Sequence, residues 1–253
     1  MSLSFRQSDI LEIAGTEGRV AVDDLAERFG VTVQTIRRDL SELSDAGKLD
    51  RVHGGAVLRS GVSNIGYEDR RALNAEAKIR IAMRCAEDIP DGSSIFLNIG
   101  TTTEAVARQL LGHKNLMVVT NNLNVANILV ENPDCEIVVA GGALRRTDGG
   151  LVGNLTASTI RQFKFDRAII GCSALDLDGD LLDFDLQEVQ ASQAIIAQAR
   201  HTCLVADQSK FQRIAPGRIT SMSEIDTIYT DAPLPDDLPR LCQNWQTRVV
   251  QCD

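Results

Sequence analysis

The chain has 253 residues, 43% of them hydrophobic but only 4% aromatic, and a formal net charge of −9. Such a chain can bury a sizeable core of Ala, Val, Ile and Leu, which suits an α/β or all-α architecture and not an aromatic-rich β-sandwich. The charge excludes a bulk-basic nucleic-acid binder: residues 1–59 carry 8 Lys and Arg against 10 Asp and Glu, so DNA contact must rest on locally placed cations.

The sequence holds no run of 18 apolar residues, and Met1 to Gln7 lack the apolar stretch of a secretory signal. Cys85, Cys135, Cys172, Cys203, Cys242 and Cys252 form no C-x-x-C pair and have no His at ligand spacing. The expectation is a cytoplasmic protein with reduced thiols, no membrane partner, no metal site and no cofactor.

In chain order, Ser8 to Ala14 predict a short helix with Ile10, Leu11 and Ile13 apolar, broken by Gly15 and Gly18. Asp23 to Phe29 predict a second, its paired acids at the positive helix end, closed by Gly30. Thr32 caps a third helix, Val33 to about Ala46. In it Ile36, Leu40 and Leu43 recur at i, i+4 and i+7 and mark the buried face. Gln34, Arg38 and Ser41 fall opposite, flanked by Thr35 and Arg37. After Gly47, the stretch Arg51-Val52-His53-Gly54-Gly55-Ala56 reads as a hairpin turning at two glycines.

This is the layout of a helix-turn-helix, whose second helix lies in the major groove. Arg37 and Arg38 can reach guanine edges or phosphates, and Gln34 can pair with adenine. The same pattern also describes two packed helices with a solvated charged face. The hairpin favours the first reading as a β-wing, with Arg51 and His53 toward the DNA backbone or minor groove. Thr32, Thr35 and Ser41 complete the candidate DNA-facing set.

Arg59 to Gly66 read as a linker, and Tyr67 to Ile89 as one polar amphipathic helix ended by Pro90-Asp91-Gly92. Thereafter short apolar runs alternate with helical stretches. The runs are 94–99, 116–119, 136–140, 167–170, 201–206 and 227–230; the helices are 103–111, 125–131, 155–163 and 187–200. This alternation predicts a parallel sheet covered on both faces.

In such sheets ligands bind at the carboxyl ends of the strands. Asn98-Ile99-Gly100-Thr101-Thr102 carries a strand into a hydroxyl-rich helix start, which favours an anion such as phosphate. It is equally a plain strand–helix loop with Thr caps, and no Gly-Lys-Ser/Thr makes it a P-loop. Thr120-Asn121-Asn122, Gly141-Gly142 and Gly171-Cys172-Ser173 fall at the same edge. Lys210 either neutralises a phosphate from a neighbouring strand end or is a solvated surface lysine. Asp185 and Glu188 either hold ligand hydroxyls or are exposed helix-start acids.

Val33-Gln34-Thr35-Ile36-Arg37-Arg38-Asp39-Leu40 followed by His53-Gly54-Gly55-Ala56 resembles the N-terminal signature of the DeoR family of bacterial regulators. Ile99 to Thr102, Thr120 to Asn122, Gly141-Gly142 and Asp207-Gln208-Ser209-Lys210-Phe211 are similar to that family's effector domain. Thr120 to Asn127, Asp148-Gly149-Gly150 and Tyr229 to Pro233 point to its glycerol 3-phosphate branch. The resemblance implies a winged helix-turn-helix over residues 1–58, a connection over 59–74, and over 75–253 a parallel-sheet α/β sensor domain shaped like sugar-phosphate isomerases. It implies a repressor, dimeric or tetrameric, that binds double-stranded operator DNA. Release would follow binding of a phosphorylated metabolite, glycerol 3-phosphate or another sugar phosphate. The effector would be held by Asn98, Gly100, Thr101, Thr102, Thr120, Asn121, Asn122, Gly141, Gly142, Ser173, Glu188 and Lys210. Two departures stand out: the family often has Asp at position 98, and a Ser or Thr cap near Ala21.

The rival reading is an isomerase with an added N-terminal domain, which needs a general base beside the substrate carbonyl. The Asp-Gly-Ala-Asp run of those enzymes is missing from Gly171 to Asp176, although Asp176, Asp183 and Asp185 remain. No catalytic residue is therefore assigned. A DNA-binding activator is the third alternative.

Overall fold

The computed structural model describes residues 4–17, 19–52, 54–58 and 66–253. The chain divides into two compact units, Met1–Leu73 and Asn74–Asp253.

The first unit runs α1 (Phe5–Glu17), β1 (Arg19–Ala21), α2 (Val22–Phe29), α3 (Val33–Asp45), β2 (Leu49–Val52), β3 (Gly55–Leu58) and α4 (Tyr67–Ala72). Its core gathers Ile10 and Ala14 of α1, Leu25 of α2, and Ile36, Leu40 and Leu43 of α3. The predicted break at Gly15 does not occur; α1 continues to Glu17. Packing of Ile10 and Ala14 into that core outweighs the roughly 1 kcal/mol that Gly costs inside a helix.

Strand β3 lies between β1 and β2, antiparallel to both, which makes the hairpin a wing. A Cβ on Gly55 would stand 1.9 Å from the Val20 carbonyl oxygen, so only glycine lets β1 and β3 close at this register. Helix α2 starts at Ala21, which offers no side-chain cap. The Val22 N–H instead donates to the Gly54 carbonyl at 2.8 Å, so the wing turn does a cap's work.

The second unit begins where the predicted 67–89 helix is interrupted. Asn74 sits in the left-handed region at φ 53°, and α5 (Ala75–Glu87) starts after it. Then follow β4 (Ser94–Leu97), α6 (Thr101–Gln109), β5 (Leu116–Thr120), α7 (Leu123–Leu129), β6 (Cys135–Val139) and a hairpin of β7 (Ala143–Arg145) and β8 (Gly150–Val152). Next come α8 (Asn154–Ile160), β9 (Arg167–Ile170), β10 (Ala174–Leu175), β11 (Asp180–Asp183), α9 (Leu186–Gln198) and β12 (Thr202–Val205). The chain closes with β13 (Gly217–Ser221), β14 (Thr227–Thr230), α10 (Leu238–Trp245) and β15 (Arg248–Gln251).

Seven strands form one parallel sheet, ordered β15-β14-β12-β9-β4-β5-β6. Six were legible as apolar runs; β15 was not, because its residues are half-exposed or exposed. Successive residues of β4 divide between two cores. Ile95 and Leu97 pack with α5, α6 and α7, whereas Phe96 packs with α8, α9 and α10. The order reverses between β4 and β9: the chain runs outward from β4 through β5 to β6, and from β9 through β12 to β15. In open α/β sheets this switch point opens a crevice beyond the carboxyl ends.

Among the described residues no helix is long and apolar enough to cross a membrane.

Candidate functional site

In the first unit, Thr32 caps α3 as its sequence predicts, its hydroxyl accepting from the Thr35 N–H at 3.2 Å. Gln34, Arg37 and Arg38 are exposed, and Thr35 and Ser41 are partly buried. Arg38 is 82% exposed along its side chain and pairs with Glu42 one turn on, Nε to Oε1 at 3.0 Å. Arg51 does not stand apart on the wing. It donates to the Ser41 hydroxyl at 2.5 Å and to the Arg37 carbonyl at 3.3 Å, tying β2 to the middle of α3. His53 lies outside the described residues, as do residues 59–65 of the expected linker. Two polar contacts that sequence reading missed join α1 to α3: Arg6 Nε to Asp39 Oδ2 at 2.5 Å, and Gln7 Nε2 to Glu42 Oε2 at 2.7 Å.

In the second unit the five expected loops leave the same edge of the sheet, in the strand order β12, β9, β4, β5, β6. Lys210 therefore follows a strand two places from β4, with β9 between, and not the adjacent one. Helix α6 begins at Gly100, φ 153°, with no side-chain cap. Its positive end, with Thr101 and Thr102 in the first turn, faces the switch point. Asn98 has a partner on each amide atom: Nδ2 donates to Ser192 Oγ at 2.9 Å and Oδ1 accepts from the Ile99 N–H at 2.7 Å.

Thr120 and Asn122 both bond within the protein. The Thr120 hydroxyl donates to the Leu97 carbonyl at 2.7 Å, and Asn122 donates to Glu104 at 3.2 Å. Asn121 differs. Its Nδ2 donates to the Leu151 carbonyl at 3.2 Å, but its buried Oδ1 has no partner among the described residues. A buried carbonyl oxygen left without a donor costs about 1–3 kcal/mol unless something supplies one. Gly142 is required by close approach, since a Cβ there would lie 2.1 Å from Thr156 Oγ1. The Gly141 carbonyl accepts from that hydroxyl at 2.6 Å.

The largest feature absent from the expected set is Arg145. Its guanidinium reaches Asp148 at 2.6 Å, Asp185 at 2.7 Å, and Glu188. Asp183, buried, accepts from the Ser173 hydroxyl at 2.8 Å. One arginine thus faces a group of four carboxylates. Burial first, and then the charge of Asp183, push the Glu188 carboxyl up to about 8 against the pull of Arg145. Burial also raises Asp183, opposed by its bonds from the Asp185 backbone and Ser173. The signal for this network lay in Asp148-Gly149-Gly150, but its partners sit in another part of the sequence.

At the β12 edge, Asp207 is buried and accepts from Asn74 at 2.8 Å and from the Ser209 N–H at 3.1 Å. Burial works to raise its pKa, but Lys210, Ser209, Lys78 and Asn74 outweigh it and hold the carboxyl below its ordinary value. Lys210 therefore belongs to an ion network at the edge and is not simply solvated. Burial pushes the nearby Cys172 thiol up to about 12, so it carries no charge at neutral pH. Among the described residues no group of three or more His, Cys, Asp and Glu is placed to hold a metal ion.

A family model described as the DeoR-like helix-turn-helix domain matches residues 6–61, and one described as the DeoR C terminal sensor domain matches residues 73–232. The chain belongs to the DeoR family. It is 46% identical over 252 residues to the glycerol-3-phosphate regulon repressor of Escherichia coli (strain K12), covering 100% of both chains. It is 42% identical to the repressor of the same name from Haemophilus influenzae, over 100% of this chain and 98% of that one. It is 38% identical to the HTH-type transcriptional repressor CsqR of Escherichia coli (strain K12), over 97% and 94%. A D-ribose-5-phosphate isomerase solved with phospho-erythronic acid superposes at a TM-score of 0.41 with 17% identity, over 54% of this chain and 53% of that one. That likeness is too loose to bear on function.

Proposed function

We propose that this chain is a transcriptional repressor that binds double-stranded operator DNA through α3 and is released by a small phosphorylated polyol, glycerol 3-phosphate ahead of other sugar phosphates. Residues 1–58 form the DNA-binding module, 59–74 the connection and 75–253 the sensor of a cytoplasmic homo-oligomer. The observation that carries this reading is the end-to-end likeness to glycerol-3-phosphate regulon repressors; the polar loops that leave the sheet on either side of its switch point support it. The same likeness favours a regulator over an isomerase.

In this reading the phosphate rests at the start of α6, on Gly100, Thr101 and Thr102, with Lys210 balancing charge from across the β9 loop. A ligand hydroxyl donates to Asn121 Oδ1 and supplies the partner that this buried oxygen lacks. The carboxylates around Arg145 take a second hydroxyl. If effector favours the DNA-free form, DNA weakens effector binding by the same factor, a coupling of about 1–3 kcal/mol.

The test is a gel shift on the promoter controlled by this chain, across a glycerol 3-phosphate titration, for wild type and Lys210→Ala. Wild type releases DNA. The variant binds DNA equally well and stays bound at effector concentrations that free the wild type. A variant that releases at the wild-type concentration removes Lys210 from the site. A wild type indifferent to glycerol 3-phosphate but freed by another sugar phosphate replaces only the named effector.

A further inference from the structure

The start of α1 is closed by a reciprocal pair: the Ser4 N–H donates to Gln7 Oε1 at 3.0 Å, and the Gln7 N–H donates to Ser4 Oγ at 3.2 Å. This capping box does more than end a helix. It takes the oxygen of a buried amide and so leaves Gln7 with Nε2 as its outward group. Nε2 donates to Glu42 Oε2 at 2.7 Å, across to α3. Glu42 then has its other oxygen for Arg38, whose Nε donates to Oε1 at 3.0 Å. Each bond fixes which atom remains for the next.

The last link bears on DNA. A guanidinium can approach a guanine edge by its two terminal nitrogens or by Nε and one of them. With Nε held by Glu42, only the terminal pair remains, and among the described residues Nη1 and Nη2 have no protein partner. Bidentate donation to O6 and N7 of guanine needs such a pair held in a fixed plane. An exposed arginine on a helix otherwise samples many rotamers, and ordering it on binding costs free energy. An acid on a DNA-facing helix repels phosphate, so its presence here calls for a role. The bonds from Arg38 first and Gln7 second hold the Glu42 carboxyl below its ordinary value, so it stays charged as the anchor of this arrangement.

We propose that Glu42, oriented by Gln7, is a positioning residue that fixes the plane of Arg38 for end-on reading of one guanine in each operator half-site. This rests on the assignment of α3 as the base-reading helix.

The experiment is selection of the full-length protein on a random-sequence duplex library, with sequencing of bound DNA, for wild type, Arg38→Ala, Glu42→Ala, Glu42→Gln and Gln7→Ala. Arg38→Ala identifies the base pair it reads by abolishing one guanine preference, a loss of roughly fivefold or more. Glu42→Ala weakens the preference at that same position several-fold, yet binds unrelated DNA at least as tightly as wild type, because an acid has left the interface. Glu42→Gln keeps an oxygen for Nε and restores most of the preference. Gln7→Ala gives a smaller loss at the same position. A merely structural role lowers binding to all sequences alike, and that result overturns the proposal. So does a Glu42→Ala protein whose preference at the Arg38 position is intact. Arg38→Ala without effect on any position overturns the role of Arg38 while leaving α3 as reader if other positions persist. A wild type that selects no sequence overturns the DNA-reading assignment itself.

Discussion

The two polar surfaces of this chain are assembled over different distances in sequence. On the exposed face of α3 the cap spans three residues, Thr32 to Thr35, and the ion pair four, Arg38 to Glu42; behind that face Arg6 and Gln7 of α1 reach Asp39 and Glu42 across 33 and 35. At the carboxyl edge of the sheet Arg145 reaches Asp185 across 40 residues, and Asn98 reaches Ser192 across 94. The first surface is a helix face in water, where each pair is screened and contributes little to stability. The second is a partly buried network whose members depend on one another. A local surface can change its side chains without disturbing the fold. A long-range one cannot, and that suits a site whose occupancy has to be felt elsewhere.

The sharpest test of this difference removes the centre of the buried network. Arg145→Ala leaves Asp148, Asp185 and Glu188 facing one another without a cation, and the loss is expected at about 3 kcal/mol, the lower end of the cost of breaking a buried pair. Urea unfolding followed on the sensor unit measures it. The matching change on the first surface, Arg38→Ala, leaves the unfolding midpoint nearly unmoved. Equal effects at the two positions would erase the distinction.

A smaller effect concerns pH. Folding raises the Glu188 carboxyl from its ordinary 4.5 to about 8, through burial and then Asp183. Between those values the folded chain holds a proton that the unfolded chain has lost. The contribution of this group is therefore complete below about 4.5 and is lost as pH rises through about 8. Asp207 runs the other way: its lowered pKa gives stability that is present above its ordinary 3.8 and lost as pH falls. Glu188→Gln should thus gain on wild type in thermal midpoint as pH is raised from 5 to 8. A difference that stays constant across that range would mean that Arg145 keeps Glu188 ionised throughout.

The same contrast in range explains what could be read from the sequence. Helix α3, its cap and its buried face follow from residues within two turns of one another, and were legible. Six of the seven sheet strands follow from local apolar runs. The loops at the carboxyl edge were legible as positions, but the work each side chain does was not. Nothing near Asn98 announces that its amide is spent on Ser192. Nothing near Thr120 shows that its hydroxyl is turned back on Leu97 while Asn121 keeps a bare oxygen. Arg145 was missed because its three carboxylate partners meet only when the β7–β8 hairpin lies against the start of α9. Arg51 was expected outward on the wing, but the fold brings Ser41 within its reach.

The smallest effect tests the local side of the comparison on its own terms. Thr32 ends the turn between α2 and α3, and its hydroxyl caps the Thr35 N–H. Thr32→Ala removes that acceptor and should cost about 1 kcal/mol of unfolding free energy in the DNA-binding unit. Thr32→Ser keeps the oxygen and should stay close to wild type. The start of α2 supplies the control. Ala21 has no capping side chain, and the Val22 N–H already has the Gly54 carbonyl, so Ala21→Ser should gain much less than Thr32→Ala loses. If the two changes are equal in size, the wing turn is not satisfying α2, and that helix start depends on its own side chains as α3 does.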